Sequence, residues 1–319
     1  MRPALKPGLL PVWRNRDTVQ IGIDPRRAVA LTGMSGAAAL LGLLDGSRDR
    51  AQLLAAAREL GIGPDAVDRV LALLAAGGAL HDFPASTYQA LPGSLRARLA
   101  PELATAALAH GDGDGGARTL ARRQAACVRV HGSSRVGLCA ADLLADAGVG
   151  LVAAAGPKLA LTSPAAAQYN GRDHPRKRPD LVILADIQRR DLADALTADK
   201  IPHLAASAGE AIGIVGPLVR PGRSACLRCL DLTRAERDPA WPLILAQLTG
   251  QSADPPACDC VLATAVAAQA AAQALAFIDR GGAPAVTNGT LELVLPGWQW
   301  KRRSWQAHTR CGCGTRTEP

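Results

Sequence analysis

Two close pairs of cysteines constrain the fold of this 319-residue chain more than any other feature: Cys226 with Cys229, and Cys311 with Cys313. Paired thiols separated by a long segment suit a tetrahedral Zn²⁺ site that links a distal tail to the body of a domain. Disulfides or redox thiols are the alternative. The chain starts without an apolar signal segment, so we expect a cytoplasmic protein, and disulfides are rare in a reducing cytosol. His308 is an alternative fourth ligand.

Residues 1–84 are typical of a small α+β domain. Apolar residues alternate with polar or small ones in the first part, and helical spacing follows. The predicted strands are 11–13, 19–23 and 28–31, and the predicted helices are 35–44, 48–60 and 64–77. Residues 85–124 read as a connector with a helix at 95–109 and a glycine-rich break at 111–116.

From residue 125 to 319, strands alternate with helices, which predicts a Rossmann-like, doubly wound, mostly parallel sheet. The predicted strands include 128–130, 151–155, 181–184, 203–205 and 212–215. The apolar run Val261–Ile278 contains Gln269 and Gln273, which indicates a buried helix rather than a membrane span. We therefore expect no membrane association.

The turn from Gly132 to Gly137 lies between a strand and a helix, where a nucleotide phosphate would meet the helix N-terminal amides. Ser134 replaces the middle glycine of such loops and narrows the room for a phosphate. The strand at 151–155 ends without the acidic residue that usually binds the ribose, and Lys158 follows instead. The alternative is a tight turn that packs the helix on the sheet and binds nothing.

Three further side chains have chemistry suited to a site. Asp186 follows the strand at 181–185, where a carboxylate can bind Mg²⁺ or simply cap a helix. Cys258 and Cys260 precede the long apolar helix, where a thiol can have a lowered pKa and act as a nucleophile. They are also able to compete for zinc, and two unliganded thiols are the alternative.

The chain carries a net charge of +8, which is compatible with acidic peptides, nucleotides or nucleic acid as partners. Basic clusters occur at 172–178 and 301–303, and solvated loops are the alternative reading of both. Nucleic-acid binding is disfavoured because Asp65 and Asp68 lie near the N-terminus of the helix that would enter a groove. An NAD-dependent oxidoreductase is disfavoured by the missing ribose-binding acid.

These motifs together resemble the ThiF/MoeB superfamily of ubiquitin-activating-like adenylyltransferases. The resemblance is carried by HGSSRVG at 131–137, AGVG at 147–150, DLVILAD at 180–186 and the two cysteine pairs. The segments PGRSACLRCLDL at 221–232 and RDPAW at 237–241 are similar to actinobacterial cyclodehydratase-like proteins that bind the leader peptides of azole (TOMM) precursors. The N-terminal unit resembles the PqqD-type winged-helix peptide-recognition module.

The resemblance implies a peptide partner and a nucleotide site. In the PqqD type the leader peptide adds a strand beside the third strand and packs on the third helix. The peptide-binding residues implied here are Val29, Leu31, Val67, Val70, Leu71 and Leu74. The implied nucleotide-binding residues are Gly132, Ser134, Gly137 and Lys158, with Arg135 and Asp186 in catalytic positions.

Ser134 replaces a loop glycine, and the acidic residue that would bind the ribose is missing. Both departures favour a degenerate nucleotide site. The leading hypothesis is a homodimeric scaffold that holds a precursor peptide and supports a separate YcaO-type modifying enzyme. The alternative is an active adenylyltransferase that uses Mg-ATP, with Cys258 or Cys260 accepting a thioester.

Overall fold

The computed structural model describes residues 2–33, 36–82, 93–111, 113–155, 178–185, 190–250, 257–280 and 284–314. Two compact units divide the chain, Met1–Ala121 and Arg122–Pro319. Lys158, Asp186 and most of the basic cluster at 172–178 lie outside the described residues.

The described residues of the first unit form two small antiparallel sheets and four helices, and a further helix, α5, spans the boundary. The elements are β1 (Pro3–Leu5), β2 (Pro11–Asn15), β3 (Thr18–Ile21), β4 (Val29–Thr32), α1 (Ala37–Gly42), α2 (Arg50–Glu59), α3 (Pro64–Ala76), β5 (Leu80–Asp82), α4 (Gly93–His110) and α5 (Ala117–Ala125). Strands β2, β3 and β4 form one sheet in that order, and β1 pairs with β5. Helix α2 begins with a capping box between Asp49 and Gln52.

The core of the first unit contains five of the six residues that the resemblance implies as peptide-binding, and peptide contact at these positions stays a prediction. Four residues of α3 are implied to contact a peptide, but all four are at most 8% exposed and pack with Leu31 in the hydrophobic core. These four are Val67, Val70, Leu71 and Leu74. Their helical spacing reports the apolar face of α3 correctly, and that face is covered by the protein's own sheet and helices rather than left open.

The second unit is built around one seven-stranded mixed sheet. Its elements are β6 (Cys127–His131), α6 (Arg135–Asp146), β7 (Leu151–Ala155), β8 (Leu181–Leu184), α7 (Arg190–Ala198), β9 (His203–Gly209), β10 (Ile212–Val219), α8 (Leu227–Arg237), α9 (Trp241–Gly250), α10 (Cys260–Arg280), β11 (Gly289–Val294) and β12 (Gln299–Ser304). The strand order is β7-β6-β8-β9-β10-β11-β12. The first four strands are parallel to one another, and β10, β11 and β12 continue the sheet in antiparallel fashion, so the sheet is mixed rather than mostly parallel as predicted.

Helices cover both faces of this sheet, which confirms the predicted Rossmann-like architecture. Helices α6 and α10 pack on the face that includes Ile183. Helices α7 and α8 pack on the opposite face with Val182 and Leu184. Every residue of β8 is buried, as expected for a parallel strand covered on both sides.

Among the described helices, α10 has the length and composition of a membrane span, with a mean hydropathy of 1.8 over Cys260–Asp279. Its residues Leu262, Val266, Ala270 and Ala274 are fully buried against α6 and the sheet. The helix therefore serves as a core element of this unit.

A buried ion pair joins the start of the second unit to the end of α10. Arg123 donates from Nε and Nη2 to the two carboxylate oxygens of Asp279, each at 2.8 Å. The two side chains are 8% and 3% exposed. Arg123 also donates to the carbonyl of Ala147 at 3.1 Å, so the guanidinium connects three segments of the unit.

Candidate functional site

The four paired cysteines meet in one cluster. Cys226 is the N-cap of α8 and Cys229 lies in its first turn, whereas Cys311 and Cys313 follow β12 in the tail. All four Sγ atoms lie within 4.8 Å of one another. The Sγ–Sγ distances are 3.7 Å for Cys226–Cys229, 3.6 Å for Cys226–Cys311 and 3.6 Å for Cys229–Cys313.

This geometry fits a zinc ion. With Zn–S bonds of about 2.3 Å, tetrahedral coordination separates neighbouring sulfurs by about 3.8 Å, close to the distances found. Cys226 and Cys229 are buried against Val219, Leu230 and Trp305. A compact set of four thiols backed by an apolar wall is the donor set that structural zinc prefers.

The protonation of the thiols also favours a cation at their centre. The hydrogen bond from Cys226 lowers the pKa of Cys229 to about 4, and the same contact raises the pKa of Cys226. Burial raises the pKa of Cys311 to about 11. Neighbouring thiols cannot all ionise while their negative charges face one another, whereas a divalent metal would stabilise all four thiolates.

His308 does not belong to the cluster of possible ligands among the described residues. Its Nε2 lies 2.9 Å from Oε1 of Glu236, an oxygen that also accepts from Arg310 at 3.0 Å. His308 therefore links the tail to the end of α8 beside the cysteines. Cys258 and Cys260 also lie outside the cluster.

An aromatic and arginine stack joins the tail to α8 and α9. The guanidinium carbon of Arg234 lies 4.9 Å from the ring centroid of Trp241 and 5.3 Å from that of Trp305. The indole N–H of Trp305 donates to the hydroxyl of Thr290 at 3.0 Å. Sequence reasoning did not identify this stack, because its members come from α8, the start of α9 and the tail, and Trp305 is far from the other two in sequence.

Asp231 of α8 is the acceptor beneath the stack. It pairs with Arg190 Nε at 2.9 Å and with Arg234 Nη1 at 3.4 Å. The indole N–H of Trp241 donates to the same carboxylate at 3.3 Å. Asp231 and Arg234 are three positions apart in the sequence, so helical spacing was the one available signal for part of this group.

The loop between β6 and α6 brings together four of the residues assigned to a nucleotide site. Gly132 has a φ of 117°, which allows the sharp turn out of β6. A Cβ atom on Gly137 would lie 2.8 Å from that of Ala185, so this glycine permits α6 to pack closely on the end of β8. Arg135 is exposed at the first turn of α6.

Ser134 is the N-cap of α6. Its hydroxyl accepts a hydrogen bond from the N–H of Gly137 at 3.3 Å and donates to the carbonyl of Ala185 at 2.7 Å. One of the helix N-terminal donors that would meet a phosphate is thus satisfied by the protein itself. The backbone N–H groups of Arg135 and Val136 come before the first intrahelical hydrogen bond, so no carbonyl of the helix accepts from them.

Cys258 precedes α10, and Cys260 is the first residue of that helix. Burial raises the pKa of Cys258, and the nearby Asp259 raises it further, although Arg135 acts in the opposite direction. Asp259 caps the helix by accepting from the N–H of Leu262 at 2.7 Å. The lowered pKa of a nucleophilic thiol is therefore not found at Cys258, because burial and the acidic cap both raise its pKa, and the alternative of an unliganded thiol is favoured. Cys260 is exposed.

In the first unit, β4 pairs only with β3 among the strands that the structure describes. The N–H of Gly33 donates to the carbonyl of Asp17, and Leu31 and Val29 follow in the same register. In an antiparallel pair the inward and outward backbone groups alternate, so Ala30 and Thr32 direct their N–H and C=O groups away from β3. The free edge of β4 therefore offers a short ladder of backbone groups.

Comparison with known proteins gives a likeness in structure only. No family model and no curated protein sequence matches the chain. Structures of E. coli MccB with succinimide and with AMPCPP and MccA are 14% and 13% identical, each with a TM-score of 0.67, covering 99% of this chain and 100% of MccB. The heterocyclase TruD is 15% identical with a TM-score of 0.66 and covers 98% of this chain, which spans 43% of TruD. The chain thus shares the fold of MccB and of part of TruD.

Proposed function

We propose that this chain is a ThiF-fold scaffold that binds a precursor peptide by strand addition and supports a separate enzyme that modifies the peptide. Its four-cysteine cluster would hold a structural zinc ion that fixes the tail on α8. The nucleotide loop would be retained as a packing element with little or no catalytic use.

The free edge of β4 is the observation that carries this proposal. Ala30 and Thr32 direct backbone donors and acceptors away from the sheet. An extended peptide can pair with such an edge, which gives affinity through main-chain hydrogen bonds. Val29 is half-buried and Ala30 is exposed on this strand, so their side chains would adjoin the added peptide.

The cap on α6 supports a scaffold rather than a catalyst. The Ser134 hydroxyl satisfies the N–H of Gly137 and is itself bound to the carbonyl of Ala185. A phosphate at this helix terminus would have to compete with an internal hydrogen bond or approach from farther out. The side chain is held from both sides, so moving it away would break two hydrogen bonds.

The structural relatives support the assignment to peptide modification. One MccB structure contains MccA, and one heterocyclase structure contains substrate and cofactor. The chain spans 39% of that heterocyclase. We infer that a second protein, of the YcaO type, supplies the corresponding remainder of the activity in the cytoplasm, with the scaffold acting as a homodimer.

Peptide binding by β4 is tested with a panel of short synthetic peptides of varied sequence, labelled for fluorescence anisotropy. Ala30→Pro removes one outward N–H and leaves the β3–β4 hydrogen bonds in place, because proline is tolerated where an edge N–H faces solvent. Ala30→Val keeps the N–H and is the matched control. We expect Ala30→Pro to weaken binding by about tenfold and Ala30→Val to bind like wild type. Equal affinity of all three proteins would rule out strand addition at β4.

An active adenylyltransferase is the second candidate, and the exposed guanidinium of Arg135 at the α6 N-terminus favours it. MccB, which shares the fold, has been solved with ATP. A carboxylate-dependent exchange of pyrophosphate into ATP that is lost in Arg135→Ala and Asp186→Ala would establish this function. If no candidate peptide supports pyrophosphate exchange, the scaffold remains the supported function.

A further inference from the structure

A small recess lies on the α7/α8 side of the sheet, at the carboxyl end of β8. We call it the arginine recess. Its volume is about 40 Å³. The residues that define it are Leu184, Ser207 and Thr290 on the sheet, Arg190 at the start of α7, and Leu230 and Arg234 of α8. Ligands in open α/β sheets bind at the carboxyl ends of the strands, which is where this recess opens.

The lining of the arginine recess contains two guanidinium groups and no carboxylate among the described residues. The one carboxylate that pairs with both is Asp231, which does not line the recess. Asp231 also accepts from the indole of Trp241. A single acceptor is thus shared by two cations and an indole, and both guanidinium groups have more N–H donors than these contacts use while lining the recess.

Both arginines are largely removed from water. The side chain of Arg190 is 18% exposed and that of Arg234 is 26% exposed. Burial lowers the pKa of Arg234, and the charge of Asp231 opposes this shift. A partly desolvated cation gains much from a second anion, because the attraction between the charges is stronger away from bulk water.

The neighbouring acid, Glu292, acts on Arg234 through its charge but does not line the recess. Glu292 of β11 accepts from the Thr290 hydroxyl at 3.0 Å and from Arg303 at 3.3 Å, so it is already engaged on the β12 side. Ser207 is half-buried in the recess wall and can donate its hydroxyl proton to an incoming acceptor.

We propose that the arginine recess binds one carboxylate group of a peptide, either a side chain or a chain terminus. The planar guanidinium groups of Arg190 and Arg234 match the two oxygens of a carboxylate, and Ser207 adds a hydroxyl donor. The volume accommodates one or two water-sized groups, which fits a carboxylate and excludes a nucleobase or a chain of phosphates. This proposal rests on the proposed function in one respect: it assumes that the carboxylate belongs to a peptide.

Two tryptophan indoles near the arginine recess can report ligand binding by NMR. The indole N–H of Trp241 donates to Asp231, the partner of both arginines, and the indole N–H of Trp305 donates to Thr290 in the recess lining. The chain has five tryptophans, so a protein labelled with ¹⁵N-tryptophan gives few indole signals, each assignable by a Trp→Phe variant. Sodium acetate is the probe, with acetamide as the neutral control and sodium chloride at matched ionic strength as the salt control.

We expect saturable shifts of the Trp241 and Trp305 indole signals with acetate and none with acetamide. Arg190→Gln and Arg234→Gln should weaken acetate binding by about tenfold or more, since each removes a charged donor. Arg228→Gln removes an exposed arginine from the same helix, α8, and should bind acetate like wild type. Ser207→Val keeps every charge, fills the recess and should also abolish the shifts.

Two blocked amino acids then distinguish the source of the carboxylate. N-acetylglycine presents a chain terminus, and the α-amide of N-acetylaspartate presents a side chain. Tighter binding of either one than of acetate supports the proposal and identifies the source. Acetate shifts that match those with chloride, or that persist in Arg190→Gln, Arg234→Gln and Ser207→Val, would overturn it. Because the acetate titration needs no peptide partner, its failure is separate from failure of strand addition at β4.

Discussion

The Sγ atoms of Cys226 and Cys311 lie 3.6 Å apart, although 85 positions separate the two residues in the sequence. The contact brings the tail after β12 onto the first turn of α8, and Trp305 packs between them. A metal ion at this point would close a long loop of chain, so its effect on stability comes largely from restricting the unfolded state.

Metal removal is expected to lower the free energy of unfolding by about 4.5 kcal/mol, the value for closing a loop of this length with a covalent link. Cys311→Ser should reduce bound zinc from one ion per chain to none and lower the melting temperature to that of chelator-treated wild type. Metal content is measured by mass spectrometry and stability by thermal unfolding.

The matched control for the zinc prediction is Cys260→Ser, which removes an exposed thiol outside the cluster. It should retain one zinc ion per chain and the wild-type melting temperature. Full zinc content in Cys311→Ser would show that this thiol is not a ligand.

The ion pair between Arg123 and Asp279 yields a second prediction. Asp279→Asn preserves the shape of the side chain but leaves the Arg123 guanidinium buried without its counter-charge. We expect a loss of about 3–5 kcal/mol in urea unfolding, the cost of breaking a buried pair from one side. Asp68→Asn breaks the exposed pair with Arg50 and should cost about 1 kcal/mol or less. Similar losses in both variants would show that burial does not govern the effect.

The sequence was sufficient to predict the elements whose chemistry or pattern is unusual. Four closely paired thiols have few alternative uses, and Leu181–Leu184 is a run of four apolar residues as expected for a strand buried on both faces. The helix over Val261–Ile278 was predicted within two residues of its ends.

Other elements had no local signal. Helix α8 carries its buried side on Leu227, Cys229 and Leu230, among mostly polar neighbours, so no apolar period marks it. Strand β12 is an exposed edge strand and lacks the alternation of a half-buried one. On α3, periodicity identified the apolar face correctly, but periodicity cannot distinguish a face covered by the protein's own core from one that binds a peptide.

The Ser134 cap predicts how the protein responds to Mg-ATP. Wild type should give no saturable heat in calorimetry at millimolar ATP, whereas Ser134→Gly should bind more tightly, because it frees the Gly137 N–H and the space beside it. Ser134→Ala also frees this donor but keeps a Cβ, and losing the cap should cost about 1 kcal/mol of stability. Saturable binding of ATP to wild type that is lost in Asp186→Ala would instead support the adenylyltransferase.

A buried histidine predicts the pH dependence of stability. His203 at the start of β9 is fully buried, with Nδ1 donating to the carbonyl of Ile201 at 3.0 Å and Nε2 without a partner among the described residues. Burial lowers the pKa of His203 below its usual 6.5, so the unfolded chain binds a proton more readily than the folded one. The free energy of unfolding should therefore fall as the pH drops below about 6.5. His203→Gln should show a smaller difference between pH 7.5 and pH 5.5 in urea unfolding, whatever its stability at neutral pH. An unchanged difference in His203→Gln would assign the acid sensitivity to other groups.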